Sequence, residues 1–400
     1  MAAEQLWSPF DPAHLSNPYS MYKRLRDNDP VHRSQTGEYI ITRYNDIKSI
    51  LKSSEYRSGN RLEWFSRGIK YFQNHDEDLS NIYKAINSFI LFLNPPDHQQ
   101  IRTFVSKNWD RNGVAETISG VADQLLTGLS GSFDLVKQFA QPMPAMVISK
   151  IMGIAIGDYE HLRKLGVTMT NSLNLYNSWK ELVELNNASG EFVKYFGQLI
   201  EEKRKNPDDG LVSRLVEAND REPVIDEKQL ISVLIFMFVS GEETTSHSIG
   251  TALHNLVQTG KYSHFGSNQD IARIAIEELF RFDSPVQLLG RISTRETQIG
   301  GITIPVESPL TLVTASANRD ENIFDRPDEL DLERSPNPHL AFGYGTHFCL
   351  GEWLGKLQVG IAIDRFVRKF PSAHIPTQNI VWNRNLSVRG MSSLIVNTGE

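Results

Sequence analysis

Several groups of residues in this 400-residue chain have the types and spacing to do chemistry. The first is the loop Ala341-Phe-Gly-Tyr-Gly-Thr-His-Phe-Cys-Leu-Gly351, built around the only cysteine, Cys349. Gly343, Gly345 and Gly351 open backbone conformations closed to other residues, so the loop can wrap a sulfur and aim N–H groups at it. Behind it Leu350, Trp353, Leu354, Leu357 and Ile361 recur at helical spacing. That puts Cys349 at a helix N-terminus, where the dipole and free amides favour thiolate over thiol. Such a thiolate suits iron, and thiolate donation to haem iron favours O–O cleavage. The ordinary alternatives for a lone cysteine are a small buried apolar residue or a nucleophile.

The second group is a polar island, Ser240-Gly-Glu-Glu-Thr-Thr245, which interrupts an apolar helical run. Carboxylates beside hydroxyls can pass protons; the plainer reading is that Glu242 and Glu243 solvate a surface face. Gly241 weakens a helix, and a Thr hydroxyl can bond the preceding turn, so the island predicts a local opening. Glu278 and Arg281 stand at i, i+3, usually a surface ion pair. His98 and Arg102, at i, i+4, share a helix face.

These groups need elements to hold them. Asp226 can cap a long helix running towards Gly260, roughly 50 Å at 1.5 Å per residue. Asn94-Pro-Pro-Asp97 reads as a helix start, with Asn94 as cap. Residues 38–42 alternate like a strand, and residues 44–52 read as a helix. Helical patterns dominate residues 115–260; strands are expected at 297–304 and 309–314 around a turn at 305–308, and a final helix at 350–370. This is a mainly α (α+β) fold. No stretch reads as a linker; the polar run 201–210 comes nearest, so residues 1–400 are expected to form a single domain. The net charge of -7 and pI near 5.9 argue against nucleic acid. The apolar run 233–239 is too short for a membrane anchor, and no export signal is visible, so a cytoplasmic location is expected. One cysteine excludes an intramolecular disulfide and multi-cysteine zinc or iron–sulfur sites.

Phe342, Gly345, Cys349 and Gly351 fit F-x-x-G-x-x-x-C-x-G, and the chain resembles the cytochrome P-450 family. The likeness runs from Asp11-Pro and Asn17-Pro to Arg389-Gly390. It implies the P-450 fold, a large helical region around a long central helix with a smaller β-rich region. It also implies haem b, with Cys349 as axial ligand and His98, Arg102, Arg291 and His347 as propionate contacts. Glu243 and Thr244 become the acid–alcohol pair of oxygen activation, with Ser240 where Ala or Gly is usual. Glu278 and Arg281 become the structural E-x-x-R pair. Its customary basic partner is replaced by Glu329, leaving Arg319 and Arg334 as candidates.

The activity implied is insertion of one atom of O2 into a C–H or C=C bond. Electrons would come from a separate ferredoxin or flavodoxin with its NAD(P)H reductase, docking where Arg102, Lys107 and Lys356 supply positive charge. A H2O2-driven peroxygenase or a haem sensor would not need the Glu243–Thr244 pair. Residues 57–92, 165–179, 236–240, 286–289 and 386–391 are expected to line the pocket, among them Phe236, Ser240, Val286, Gln287 and Leu288, with Asn171 and Asn174 as polar members. They suit a medium-sized lipophilic substrate with some hydrogen-bonding groups, of terpenoid, steroid or polyketide kind.

Overall fold

Helix Tyr44–Lys52 forms where the spacing predicts it, burying Tyr44, Ile47, Ile50 and Leu51 along one stripe. It lies beside a five-stranded sheet ordered Val31–Arg33, Tyr39–Ile41, Pro309–Leu312, Leu289–Ser293, Tyr56–Arg57. Tyr39–Ile41 pairs in parallel with Pro309–Leu312 in the register Tyr39↔Leu310, Ile41↔Leu312; the other pairings are antiparallel. All three residues of Tyr39–Ile41 are buried, so the expected alternation gives way to burial on both faces of an interior strand. Val31, Tyr39, Ile41, Ile47, Leu51, Ile304, Leu312, Phe324 and Leu340 share the core around this sheet.

The structure, a computed structural model, describes residues 6–9, 11–59, 78–86, 88–173, 177–265 and 269–399. They condense into two compact units: Met1–Arg57, Leu125–Ala140 and Thr244–Glu400 in one, Ser58–Gln124 and Gln141–Glu243 in the other. The first holds the sheet, the cysteine loop and the C-terminal helix Glu352–Lys369. The second is helical. Its helix Trp179–Lys205 starts with a capping box in which Glu181 N donates to Ser178 Oγ and Ser178 N to Glu181 Oε2. Asn186 on that helix accepts from the backbone N–H of Asn81 and Ile82, fastening helix Ser80–Ile86. Phe192, Phe196 and Phe238 pack as a ring cluster with centroids about 6 Å apart.

Three local expectations change. Residues 297–304 are not one strand: Thr297–Ile299 and Ile302–Ile304 form a hairpin around Gly300-Gly301, whose φ values of 56° and 82° suit the two-residue turn favoured by strand twist. Asn94 does not cap helix Asp97–Asn108; its Oδ1 accepts from Ser58 N at 2.8 Å, and the helix starts without a side-chain cap. The long helix spans Glu227–Gln258 and continues through the island without opening. Its expected cap is present, with Gln229 N donating to Asp226 Oδ1 and Asp226 N to Gln229 Oε1. No helix among the described residues is long and apolar enough to cross a membrane.

Candidate functional site

The cysteine loop is held by backbone that only certain residues permit. Gly343 and Gly345 have φ of 72° and 71°, and a Cβ on Gly345 would stand 2.5 Å from Leu51 O. Gly351 differs from expectation: its φ is −93°, ordinary for any residue, and it caps the C-terminal helix. Cys349 N donates to Phe342 O at 3.0 Å, closing the loop, and the Phe342 ring packs on Phe280 at 4.7 Å. The helix begins at Glu352, so Cys349 precedes its first turn rather than belonging to it. The loop thus presents Cys349 as an exposed residue, with the half-buried His347 two residues before it. Lys356 on the following helix is closed off from its expected docking role, because Glu277 (2.7 Å) and Glu352 both bind its ammonium.

Packing decides which faces of the long helix stay accessible. Ser240 is exposed, and Phe236, Glu243 and Thr244 are half-buried, one stripe at i, i+4, i+7, i+8; Gly241 beside it is half-buried too, and the rest of residues 231–250 are buried. Of the two acids, therefore, only Glu243 lies on the accessible face. Glu242 points off the stripe and is 2 % exposed.

Glu278 and Arg281 are fully buried rather than a surface pair, with Arg281 Nε and Nη2 donating to the carboxylate at 2.7 and 2.8 Å. Arg334 completes the network: its Nε lies 3.1 and 3.0 Å from the two Glu278 oxygens, and Asn337 Nδ2 adds a bond at 3.0 Å. Arg319 does not take part. It stacks on Tyr19 at 3.5 Å and on Phe282 at 4.2 Å. Glu329 contributes only its carbonyl, which accepts from Arg281.

Arg291, on strand Leu289–Ser293, is 5 % exposed. The one hydrogen bond of its side chain among the described residues is to Gly290 O, and no carboxylate there pairs with it; burial pushes the guanidinium down to about 10. Such a cation is matched by an anionic group such as a propionate. In the other unit His98 is buried and Arg102 half-buried on one face of helix Asp97–Asn108. No cluster of three or more His, Cys, Asp or Glu able to hold a metal occurs among the described residues. A single thiolate with a buried cation fits iron that brings its remaining ligands in a porphyrin.

Val286 is half-buried and bridges to Val388, whereas Gln287 and Leu288 are buried and line a small cavity with Trp7, Met21, Tyr22 and Arg389. Residues 60–77 and Asn174, expected near the pocket, lie outside the described residues. Two contacts were missed from sequence. A Cβ on Gly390 would fall 1.9 Å from His247 Nδ1, so the backbone there lies directly on the imidazole. Asn383 ties the same loop, donating to Val388 O and lying 3.3 Å from His247 Nε2. The only signal was Gly390 itself, whose need is space beside a ring from another element.

A sequence model of the family described as Cytochrome P450 matches residues 270–392. The biotin biosynthesis cytochrome P450 of Bacillus subtilis (strain 168) is 30% identical over 372 residues, 90% of this chain and 91% of that protein. The polyketide biosynthesis cytochrome P450 PksS of the same strain is 31% identical, covering 96% of each. The solved structure of the bacillaene polyketide synthase P450 PksS from Bacillus subtilis 168 superposes with a TM-score of 0.86 at 29% identity, over 98% of this chain and 99% of that one.

Proposed function

The chain belongs to the cytochrome P450 family and is a haem-thiolate monooxygenase, and on that premise we propose that it oxidises a medium-sized lipophilic molecule of secondary metabolism, inserting one atom of O2 into a C–H or C=C bond. The observation that carries this reading is the exposed Cys349, the only cysteine, on a loop shaped by Gly343 and Gly345. Haem, here haem b, supplies the oxidising chemistry when bound. Cys349 would hold its iron through the sulfur, and His98, Arg102, Arg291 and His347 would hold its propionates. Thr244 donates a hydrogen bond at the reacting oxygen, and Glu243 delivers the protons that oxygen activation consumes. Phe236, Ser240, Val286, Gln287 and Leu288 are the residues assigned to the substrate. Residues 1–400 act as one catalytic domain in the cytoplasm.

Electrons come from NAD(P)H through a separate ferredoxin or flavodoxin. With Lys356 neutralised, the exposed Lys107 and half-buried Arg102 are the cations that meet it. The test is direct. The reduced CO complex of the wild type should carry the thiolate signature, and Cys349→Ser should lose it. Product from a lipophilic library should need a surrogate ferredoxin and NAD(P)H. Turnover with H2O2 alone, and none with reductase systems, would overturn the assignment.

A further inference from the structure

We propose that Glu277 is a positioning residue for Cys349: its carboxylate ties together the two flanks of the cysteine loop, His339 before it and Lys356 after it, and so fixes the carbonyl on which the Cys349 N–H rests. The inference rests on reading Cys349 as the thiolate that holds haem iron. Every group in it belongs to the unit that carries the loop.

Two branches leave Glu277, which stands on helix Gln269–Phe282. Its Oε2 lies 2.9 Å from His339 Nε2. The other ring nitrogen, Nδ1, accepts from the backbone N–H of Ala341 at 3.2 Å. A ring that accepts at Nδ1 carries its proton on Nε2, so a neutral His339 donates to Glu277. On the other branch Glu277 Oε1 meets the Lys356 ammonium at 2.7 Å, and that ammonium stands 5.2 Å from the centre of the Phe342 ring. The branches converge on Phe342, whose ring is also packed by Phe280 at 4.7 Å and His339 at 6.1 Å. Phe342 O in turn accepts from Cys349 N at 3.0 Å.

Charge and redundancy single out the carboxylate. Partial burial pushes the Glu277 carboxyl up, but the bonds from His339 and Lys356 outweigh it and keep the group below the usual carboxylate range. Lys356 has a second acid in Glu352; His339, with its side chain 5% exposed, pairs with no other carboxylate among the described residues. Without Glu277 the ring loses the acceptor that sets its tautomer and orientation, and Ala341 N loses its partner. Phe342 and the Cys349 N–H that it holds are then released. An N–H or water turned onto the sulfur draws charge from it, which weakens its donation to iron. Leu340 N remains fixed on Asn318 Oδ1 at 2.6 Å, so the disturbance stays within the loop.

Holoenzyme variants test the two branches separately. Glu277→Leu removes both and His339→Ala only the first, whereas Glu352→Gln strips Lys356 of its second acid and leaves His339 in place. Glu277→Leu and His339→Ala should raise the reduction potential of the haem iron. Their reduced CO complexes should lose the thiolate signature roughly tenfold faster than wild type, the low end for a partner that orients a metal ligand. The double variant should be no worse than Glu277→Leu. Glu352→Gln should keep the wild-type potential and signature. In the haem-free chain, amide exchange at Ala341 and Cys349 should quicken in the first two variants and not in the third. A wild-type potential and exchange in Glu277→Leu, or a Glu352→Gln that matches it, would overturn the proposal. Should Glu277→Leu not take up haem, His339→Ala and the exchange rates decide. A wild type without the thiolate signature would instead refute the reading of Cys349, while the exchange pattern still decides the network.

Discussion

Replacing Arg334 by Met removes one of two guanidinium groups from a carboxylate with no solvent contact. Glu278 is 0% exposed and Arg334 8%. The variant loses both bonds to Glu278 and those to Asp325 O at 2.6 Å and Arg326 O at 3.2 Å. Glu278 keeps the bidentate Arg281, Asn337 and the N–H of Asp331, so its charge stays compensated. The loss should therefore sit at the low end of the range for a broken buried pair, about 3 kcal/mol. Glu278→Gln is worse, because it leaves two buried guanidinium groups facing each other without an anion; about 5 kcal/mol is expected. Arg319→Met forfeits ring stacking and carbonyl bonds but leaves Glu278 untouched, and should cost about 1–2 kcal/mol. The assay is denaturant unfolding of the holoenzyme followed by circular dichroism and by haem absorbance, whose coincidence tests for a single transition. An Arg334→Met stability within about 0.5 kcal/mol of wild type would refute the reasoning, as would Arg319→Met costing more than Arg334→Met.

Arg291→Met should act with opposite signs: the haem-free chain gains stability as a buried cation without a carboxylate is removed, while haem transfers to an acceptor protein at least about tenfold faster. Equal transfer rates would remove Arg291 from the propionate set. Gly390→Ala drives a methyl into the His247 ring, and adding His247→Ala should recover stability, with a coupling of about 1–3 kcal/mol in a double-mutant cycle; additive losses would contradict the contact. Against the opposing effect of partial burial, a backbone hydrogen bond at Glu321, with Lys23 and Arg26 after it, holds the Glu321 carboxyl down to about 2, so its ionised form stabilises the fold above the unfolded-state value of about 4.3 and stops doing so as pH falls through 2. Glu321→Gln should cost about 1 kcal/mol at neutral pH, Glu321 being 41% exposed, and nothing near pH 2; an unchanged difference across that acid titration would contradict the pairing.

By itself the sequence determined what is local or strongly periodic: the glycine-shaped cysteine loop, the long helix with its Asp226 cap, helix Tyr44–Lys52, and a carboxylate beside hydroxyls in an apolar run. These follow from backbone freedom, capping and helical spacing, which act within a few residues. The Gly300-Gly301 hairpin belongs to the same class, although the run 297–304 has the pattern of a single strand. Only the tertiary structure decided choices between equal candidates. Arg319 and Arg334 are the same residue type in one coil region, yet one meets Glu278 and the other stacks on Tyr19. Asn94 could cap, but Ser58 N, distant in sequence, took its oxygen. Glu242 and Glu243 are adjacent and chemically identical, and a 100° turn of helix sends one into a slot against Gly166 and the other to the open stripe. The physical reason is common to all three: burial and pairing are set by neighbours far along the chain, and residue type and spacing do not encode which neighbour arrives.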